Sequence, residues 1–302
     1  METIIQSAGL TKFYGQHLAL DQLQIEVRRG EIFGFLGPNG AGKTTFIKLM
    51  LGFIKPSDGS LSILGQSPTK LDRSQIGYLP EKIVIHPFLT GREYLQYQAA
   101  LNGIPRNQLG VQIDSALKRL EMMEAADRRI STYSKGMVQR IGVANLLLGD
   151  RQLLLLDEPN SGLDPIGIAL IRKIMSELRD EGRTVFVNSH QLLEVEKACD
   201  RVAILNKGRV VAQGSSRELS AARGIRLELA ELNAACEQVL KEHDMNCKIN
   251  GNAVELSIPD AEKERQLPAK LVAAGGRILH YSQSQESLEE VFQRLVQSRD
   301  AA

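Results

Sequence analysis

The stretch GPNGAGKT, from Gly37 to Thr44, fits the pattern G-x-x-x-x-G-K-[ST] of a phosphate-binding loop. The preceding EIFGFL (Glu31–Leu36) is typical of a buried strand, and the following TTFIKLMLGF (Thr44–Phe53) carries an apolar stripe at helical spacing. Glycines let backbone N–H groups turn inward around an anion, and the helix directs its partial positive end at the same point. Lys43 adds a full charge for the β- and γ-phosphates, and the Thr44 hydroxyl can ligate Mg²⁺. The alternative is a glycine-rich turn that binds nothing, but strand, lysine, threonine and helix together favour a nucleotide site.

Polar residues end two further apolar runs. LLLLDEP (Leu153–Pro159) reads as a strand buried on both faces and ends in two acids. Asp157 is predicted to hold Mg²⁺ through water, and Glu158 to orient or deprotonate an attacking water. His190 ends the apolar run VFVNSH, where it would face the γ-phosphate. Two solvated acids and a packing or surface histidine are the plain alternatives, and the phosphate loop favours the functional interpretation.

An aromatic residue precedes the loop in the string KFYG. Tyr14 can stack on a nucleotide base, since an aromatic ring offers an apolar face to another ring. A tyrosine that merely packs is an equally good interpretation of this residue alone.

The composition excludes several classes of protein. The chain has 302 residues, of which 43% are apolar and 24% charged, and its formal net charge is +1. That balance gives no reason to expect nucleic acid as a partner. The start METIIQSAGL lacks the features of a signal peptide, and the apolar runs are too short to span a bilayer. We therefore expect a cytoplasmic protein that reaches a membrane only through a partner.

Alternating strands and helices predict an α/β fold of the phosphate-loop NTPase type, with a doubly wound and mostly parallel sheet. Residues 1–215 would form this domain, with an antiparallel β-subdomain at the start and a helical subdomain over about 82–150. Residues 216–224 read as a linker. Residues 225–302 follow the order β-α-β-β-α-β, which suggests a small ferredoxin-like α+β domain with one helix interrupted at Pro268.

Taken together, the motifs resemble those of the ATP-binding subunit of an ABC transporter. The resemblance covers roughly residues 1–215 and is strongest to bacterial exporter-type ATPases. In chain order, the matching segments are Tyr14 (the adenine-stacking aromatic), Gly37–Thr44 (Walker A), Tyr133–Met137 (YSKGM, at the place of the LSGGQ signature), Leu153–Glu158 (Walker B with the catalytic glutamate), Ser161–Asp164 (SGLD, the D-loop) and His190 (the switch histidine).

The resemblance implies ATP and Mg²⁺ as cofactors and assigns three groups of residues. Catalysis would fall to Glu158 and His190. The nucleotide would be bound by Tyr14, Gly37, Pro38, Asn39, Gly40, Ala41, Gly42, Lys43, Thr44, Thr45, Ser134 and Gly136. The metal would be held by Thr44, Glu81 and Asp157.

The sequence departs from the family pattern at several places. Within the signature the unusual residues are Tyr133, Lys135 and Met137. Ser134 and Gly136 remain, and these would supply the hydroxyl and the backbone N–H that meet a γ-phosphate. Lys135 either adds positive charge there or points to solvent. Glu81 stands where the family often has a glutamine, which keeps an oxygen for the metal but adds a negative charge.

The resemblance further implies a head-to-tail homodimer that buries two ATP molecules. Ser134 of one subunit would act on ATP held by Lys43 of the other. A groove near Glu81 and His86–Tyr94 would receive a helix of a separate membrane permease, so that hydrolysis powers transport, in the direction of export. The protein would then lie on the inner face of the membrane, with membrane contact only through the permease.

Two other classes compete with a transporter subunit. A GTPase would need the guanine-reading N-K-x-D, and the nearest string, NKGR at Asn206–Arg209, lacks the aspartate. A soluble ABC ATPase with a non-transport partner, such as ribosomes or DNA, would need two cassettes, long coiled coils or zinc cysteines, and none is visible. A neighbouring gene for a six-span membrane protein, or co-purification with a permease, would discriminate in favour of transport.

Overall fold

A computed structural model describes residues 2–219, 223–244, 247–258, 261–285 and 288–297. The chain divides into two compact units, Met1–Gln213 and Gly214–Ala302. In the described part of the chain, no helix has the length and apolarity that crossing a membrane requires.

The first unit contains two sheets. Its strands are β1 (Thr3–Tyr14), β2 (His17–Arg28), β3 (Ile32–Leu36), β4 (Asp58–Ile63), β5 (Ile76–Leu79), β6 (Leu153–Asp157), β7 (Thr184–Ser189), β8 (Arg201–Asn206) and β9 (Arg209–Ser215). An antiparallel sheet has the order β2-β1-β4. The larger sheet has the order β5-β6-β7-β3-β8-β9, and its first five strands are parallel. The predicted antiparallel subdomain and mostly parallel core are therefore both present.

Helices of the first unit connect these strands. They are α1 (Lys43–Met50), α2 (Gly91–Leu101), α3 (Arg106–Arg119), α4 (Lys135–Leu146), α5 (Pro165–Asp180) and α6 (Leu192–Ala198). Three begin with side-chain caps, which satisfy backbone N–H groups that no helical bond reaches. Thr90 forms a capping box with Glu93 at α2, Ser134 caps α4, and Asp164 caps α5 ahead of Pro165.

Buried aromatic rings fix the strand that carries the phosphate loop. Every residue of β3 is buried. The rings of Phe35, Phe46 and Phe186 lie 5.2 to 5.9 Å apart between centroids, which joins β3, α1 and β7. Such contacts prefer offset or tilted geometries and add to the burial of apolar surface. The loop between β3 and α1 is thus held at both ends by the core.

The second unit is a smaller α+β fold. Its described elements are α7 (Ser216–Leu219), β10 (Arg223–Leu229), α8 (Ala234–His243), β11 (Lys248–Asn250), β12 (Ala253–Ser257), α9 (Ala261–Ala273), β13 (Ile278–Gln285) and α10 (Leu288–Gln297). The antiparallel sheet has the order β11-β12-β10-β13. From β10 to β13 the elements follow the order β-α-β-β-α-β.

One local expectation in this unit is wrong. The sequence predicts a helix interrupted at Pro268, whereas α9 continues through it. Proline removes one backbone donor and crowds the preceding turn, so it usually breaks a helix. Leu267 and Leu271 lie on either side of this proline and are completely buried, so their packing holds the helix together.

Candidate active site

Backbone geometry reserves two positions of the phosphate loop for glycine. Gly42 has φ +109°, and a Cβ there would lie 2.5 Å from the carbonyl oxygen of Ala19. A Cβ on Gly37 would lie 2.5 Å from the carbonyl oxygen of Leu205. Both approaches are impossible for a side chain, so the loop can be this tight only with glycine.

Lys43 lies at the start of α1 with its side chain buried. Its Nζ donates to the carbonyl oxygens of Gly37 at 2.6 Å and Pro38 at 3.2 Å. Burial lowers the pKa of Lys43, while the nearby carboxylates of Glu158, Asp157 and Glu81 oppose that shift. The ammonium group therefore lies inside the loop, with an acidic surface beside it.

A cavity of about 250 Å³ opens over the loop. Its lining residues come from the end of β1, the start of β2 and the loop with α1: Tyr14, His17, Ala19, Asn39, Gly40, Gly42, Lys43, Thr44 and Thr45. The ring of Tyr14 is 44% exposed, and the Nζ of Lys12 lies 5.4 Å from its centroid. An exposed ring at the mouth of a phosphate loop is available for stacking on a base. The structure therefore places Tyr14 beside the phosphate loop, and its stacking on a base stays a prediction.

Asp157 ends β6 next to the end of β7. Its Oδ1 accepts a hydrogen bond from Nδ2 of Asn188, which is the register partner of Asp157 across the two strands. Burial raises the pKa of Asp157; Asn188 and Lys43 oppose that shift, and Glu158 and Glu81 add to it. Asp157, Glu81 and Lys43 thus share one electrostatic neighbourhood.

Glu158 has φ +50°, an uncommon conformation for a residue with a side chain. Its N–H donates to the carbonyl of Asn188 at 2.8 Å, which fixes this turn against β7. Nδ1 of His190 lies 2.7 Å from Oε1 of Glu158, and the Ser189 hydroxyl donates to Oε2 at 3.4 Å. Backbone strain of this kind is concentrated at functional sites. The two residues predicted to be catalytic are in direct contact.

The residues of the signature stretch lie at the start of α4. The Ser134 hydroxyl accepts from the N–H of Met137 at 3.2 Å. Nζ of Lys135 lies 3.2 Å from the hydroxyl of Ser161 in the SGLD stretch, so Lys135 contacts protein here. Neither Ser134 nor Gly136 lines the cavity over the phosphate loop. The chain by itself therefore presents two separate parts of the predicted site.

Oxygen ligands suited to Mg²⁺ are present near the loop. Thr44 supplies a hydroxyl and Asp157 a carboxylate, and Glu81 lies in the same neighbourhood. Mg²⁺ prefers oxygen ligands and keeps several waters or phosphate oxygens in its shell, so a partial set from the protein fits it. Within the described residues, no group of three or more His, Cys, Asp or Glu side chains is placed to hold a metal ion by itself.

Two residues that form hydrogen bonds to groups of the site were not predicted from the sequence. Asn188 donates to Asp157, and Gln139 donates from Nε2 to the carbonyl of Pro159 at 2.8 Å. Asn188 could have been recognised from the sequence, because it is a polar residue at the end of the apolar run VFV. Gln139 gives no such signal, since its contact depends on the packing of α4.

The chain has a parallel sheet with a glycine loop between β3 and α1, and carboxylates lie at the end of β6. These features define a phosphate-loop nucleotide-binding protein. A family model described as ABC transporter matches residues 20–161. The chain belongs to the ATP-binding subunits of ABC transporters, and it is accordingly an ATPase whose family hydrolyses ATP to power transport.

The relatives extend this likeness over nearly the whole chain. The bacitracin transport ATP-binding protein BcrA of Bacillus licheniformis is 34% identical over 98% of this chain and 98% of its own. The Nod factor export ATP-binding protein I of Mesorhizobium japonicum is 33% identical over 96% of this chain and 86% of its own. Among solved structures, cbiO1 of Clostridium perfringens, part of the ABC transporter complex cbiONQ, is 26% identical with a TM-score of 0.67, covering 82% of this chain and 96% of that one.

Proposed function

We propose that this chain drives export through a separate membrane permease by closing, as a homodimer, around two ATP molecules. The names of two relatives refer to bacitracin transport and to Nod factor export. The dimer is supported by the geometry of the signature stretch. Ser134 and Gly136 lie outside the cavity that Lys43 and Tyr14 line, so a second copy is needed to bring a signature to that nucleotide.

The contact between Glu158 and His190 carries the catalytic part of the proposal. Glu158 sits beside Lys43 at the carboxyl ends of the strands, where the terminal phosphate would lie. Its carboxylate would orient the attacking water and take its proton. His190 would hold that carboxylate in place through Nδ1 and contact the terminal phosphate. The tightly turned backbone at Glu158 pre-sets this arrangement.

Binding would be shared between the loop and the tyrosine. Backbone N–H groups of residues 37–45 and the ammonium of Lys43 would hold the phosphates, and Tyr14 would stack on adenine. Thr44 and Asp157, with Glu81 beside them, would hold Mg²⁺, which neutralises charge on the β- and γ-phosphates when bound. Lys43 would exchange its bonds to Gly37 and Pro38 for bonds to phosphate.

The permease would dock on the exposed apolar segment that follows β5. Val84 is 92% exposed and Phe88 is 65% exposed, and the rings of His86 and Phe88 stack at 5.2 Å between centroids. A helix of the permease could bury these side chains in a groove beside Glu81. This docking would locate the protein on the inner face of the membrane.

The domain boundaries follow from the same proposal. Residues 1–215 would be the ATPase, with residues 82–150 as its helical subdomain. Residues 216–224 would link it to an accessory domain at 225–302, which holds none of the residues assigned to catalysis.

Mixing two inactive variants tests the action of Ser134 in trans. Lys43→Ala and Ser134→Arg should each abolish ATPase activity. In a mixture, half of the dimers combine both variants and each of these has one intact composite site, so about a quarter of the wild-type activity should return for a two-fold symmetric pair. Ser131→Arg, an exposed change on the same segment, is the matched control and should stay active alone. If Ser134 acts within its own subunit, the mixture stays inactive and the proposal fails.

A further inference from the structure

A second and larger cavity lies at the opposite edge of the parallel sheet from the phosphate loop. It encloses about 700 Å³, within the range of small-molecule sites. Arg151 lies just before β6 and Arg183 just before β7, at the amino ends of these strands. Asp157, assigned to the nucleotide site, is the last residue of β6, and Glu158 follows it at the carboxyl end. The cavity is therefore separate from the nucleotide site.

Arg151 is the unusual residue of this cavity. It is only 5% exposed, and it makes no hydrogen bond or ion pair with any residue in the described ranges. Its stem packs against β5, because a Cβ on Gly77 would lie 3.0 Å from Cδ of Arg151. Holding a guanidinium group largely away from water, with no protein partner for its five N–H donors, is costly. A native protein retains such a group where a ligand or ordered water completes it.

The other charged groups of the cavity do not satisfy Arg151. Glu181 lies 3.1 Å from Arg119 and 3.4 Å from Arg183, so both of its contacts are to other arginines. Nη1 of Arg183 is buried and has no hydrogen-bond partner. Asp150 also lines the cavity, but it is exposed at the surface. Arg119 and Arg183 thus each have a carboxylate partner, and among the described residues Arg151 has none.

Arg151 remains charged under ordinary conditions. Burial lowers the pKa of Arg151 to about 10; the nearby Tyr94 opposes that shift, and the charge of Arg183 adds to it. At neutral pH the group is still a guanidinium ion. Its planar fork matches two oxygens of a phosphate or carboxylate group at once.

We infer that the cavity lined by Arg119, Arg151 and Arg183 binds a small anionic molecule, whose phosphate or carboxylate group is held by the guanidinium group of Arg151. Arg119 belongs to α3 and is tied by ion pairs to Glu177 and Glu181 at the end of α5. The ligand would therefore sit where the helical part of the unit meets the amino edge of the sheet. The remaining volume of the cavity would accept the rest of a metabolite-sized molecule.

Anion titration of the full-length protein tests the inference. The nucleotide site is first saturated with a non-hydrolysable ATP analogue and Mg²⁺, so that all of its phosphate positions are filled. Inorganic phosphate, citrate and, as a control, chloride are then titrated by calorimetry. We expect saturable binding of phosphate or citrate, and the one that binds identifies which group the site prefers. Arg151→Met, which keeps the apolar stem, should weaken phosphate or citrate binding at least tenfold. Arg172→Met, at a half-buried arginine that is paired with Glu194 and lies outside this cavity, should leave it unchanged.

Stability provides a second measurement. Without added anion, Arg151→Met should raise the melting temperature, because an unpaired buried charge is removed. Added anion should raise the melting temperature of the wild type and should leave that of Arg151→Met unchanged. Equal anion affinity in wild type and Arg151→Met, or no saturable binding up to about 10 mM of either anion, would overturn the inference. A lower melting temperature of Arg151→Met without anion would also count against it, since that result indicates a structural role.

Discussion

The side-chain amide of Gln139 donates a hydrogen bond of 2.8 Å to the main-chain carbonyl of Pro159. Gln139 is 3% exposed and lies on α4, one turn after Ser134. Pro159 directly follows Glu158. The bond therefore connects the helix of the signature stretch to the turn that orients the proposed catalytic carboxylate.

Replacing this amide should cost stability. Gln139→Leu keeps the size of the side chain but leaves the carbonyl of Pro159 without its donor, so the free energy of unfolding should fall by about 1–3 kcal/mol. Urea denaturation measures the change. Gln96→Leu, at an exposed position on α2, is the matched control and should have little effect. Equal stability of Gln139→Leu and the wild type would show that the bond is not important.

Tyr14 should contribute to nucleotide affinity through its ring rather than its hydroxyl. Tyr14→Ala should weaken ATP binding by about 1–3 kcal/mol, the range found for stacking of a base on an aromatic side chain. Tyr14→Phe keeps the ring and should bind nearly as well as the wild type. Calorimetry with ATP and Mg²⁺ compares the three proteins. An alanine variant with unchanged affinity would remove Tyr14 from the site.

Asp157 should reduce stability at neutral pH. Because burial raises the pKa of Asp157 in the folded protein, stability falls as pH rises from the ordinary aspartate pKa through the folded one. Asp157→Asn removes this titration, so the variant should be more stable than the wild type at pH 7. The difference should disappear as pH falls below about 4, where the unfolded aspartate is also protonated.

Urea denaturation at pH 7 and at about pH 4 tests this prediction. Asp127→Asn, at an exposed carboxylate, should not show the same gain at neutral pH. A loss of stability in Asp157→Asn at pH 7 would mean that the bond from Asn188 outweighs the cost of burial.

Local patterns were sufficient to predict the nucleotide loop and the parallel core. GPNGAGKT, together with an apolar strand before it and an apolar helix after it, has few alternative structures, and the loop lies between β3 and α1 as expected. The polar residues at the ends of β6 and β7 were equally predictable as site residues, because parallel strands bring their carboxyl ends to one edge of the sheet. Tyr14 was ambiguous in sequence, and its place at the cavity follows from the pairing of β1 with β2.

Features that depend on packing could not be predicted. Gln139 reaches Pro159 only because the fold brings α4 close to the turn after β6, and no local pattern encodes that approach. The burial of Arg151 depends on neighbours distant in sequence, such as Gly77 on β5. Pro268 shows the same effect on secondary structure, since buried leucines on both sides override its local preference.

In the proposed mechanism, Glu158 activates water within an ATP-bound dimer. Glu158→Gln keeps the shape of the side chain but removes the base, so ATP should bind and hydrolysis should fall by at least about 100-fold. Glu124→Gln, at an exposed glutamate, serves as the matched control. The deciding measurement is gel filtration of Glu158→Gln with ATP and Mg²⁺, followed by an ATPase assay of the peak. We expect an ATP-containing dimer with little turnover. A monomer that hydrolyses ATP at the wild-type rate would rule out this role of Glu158.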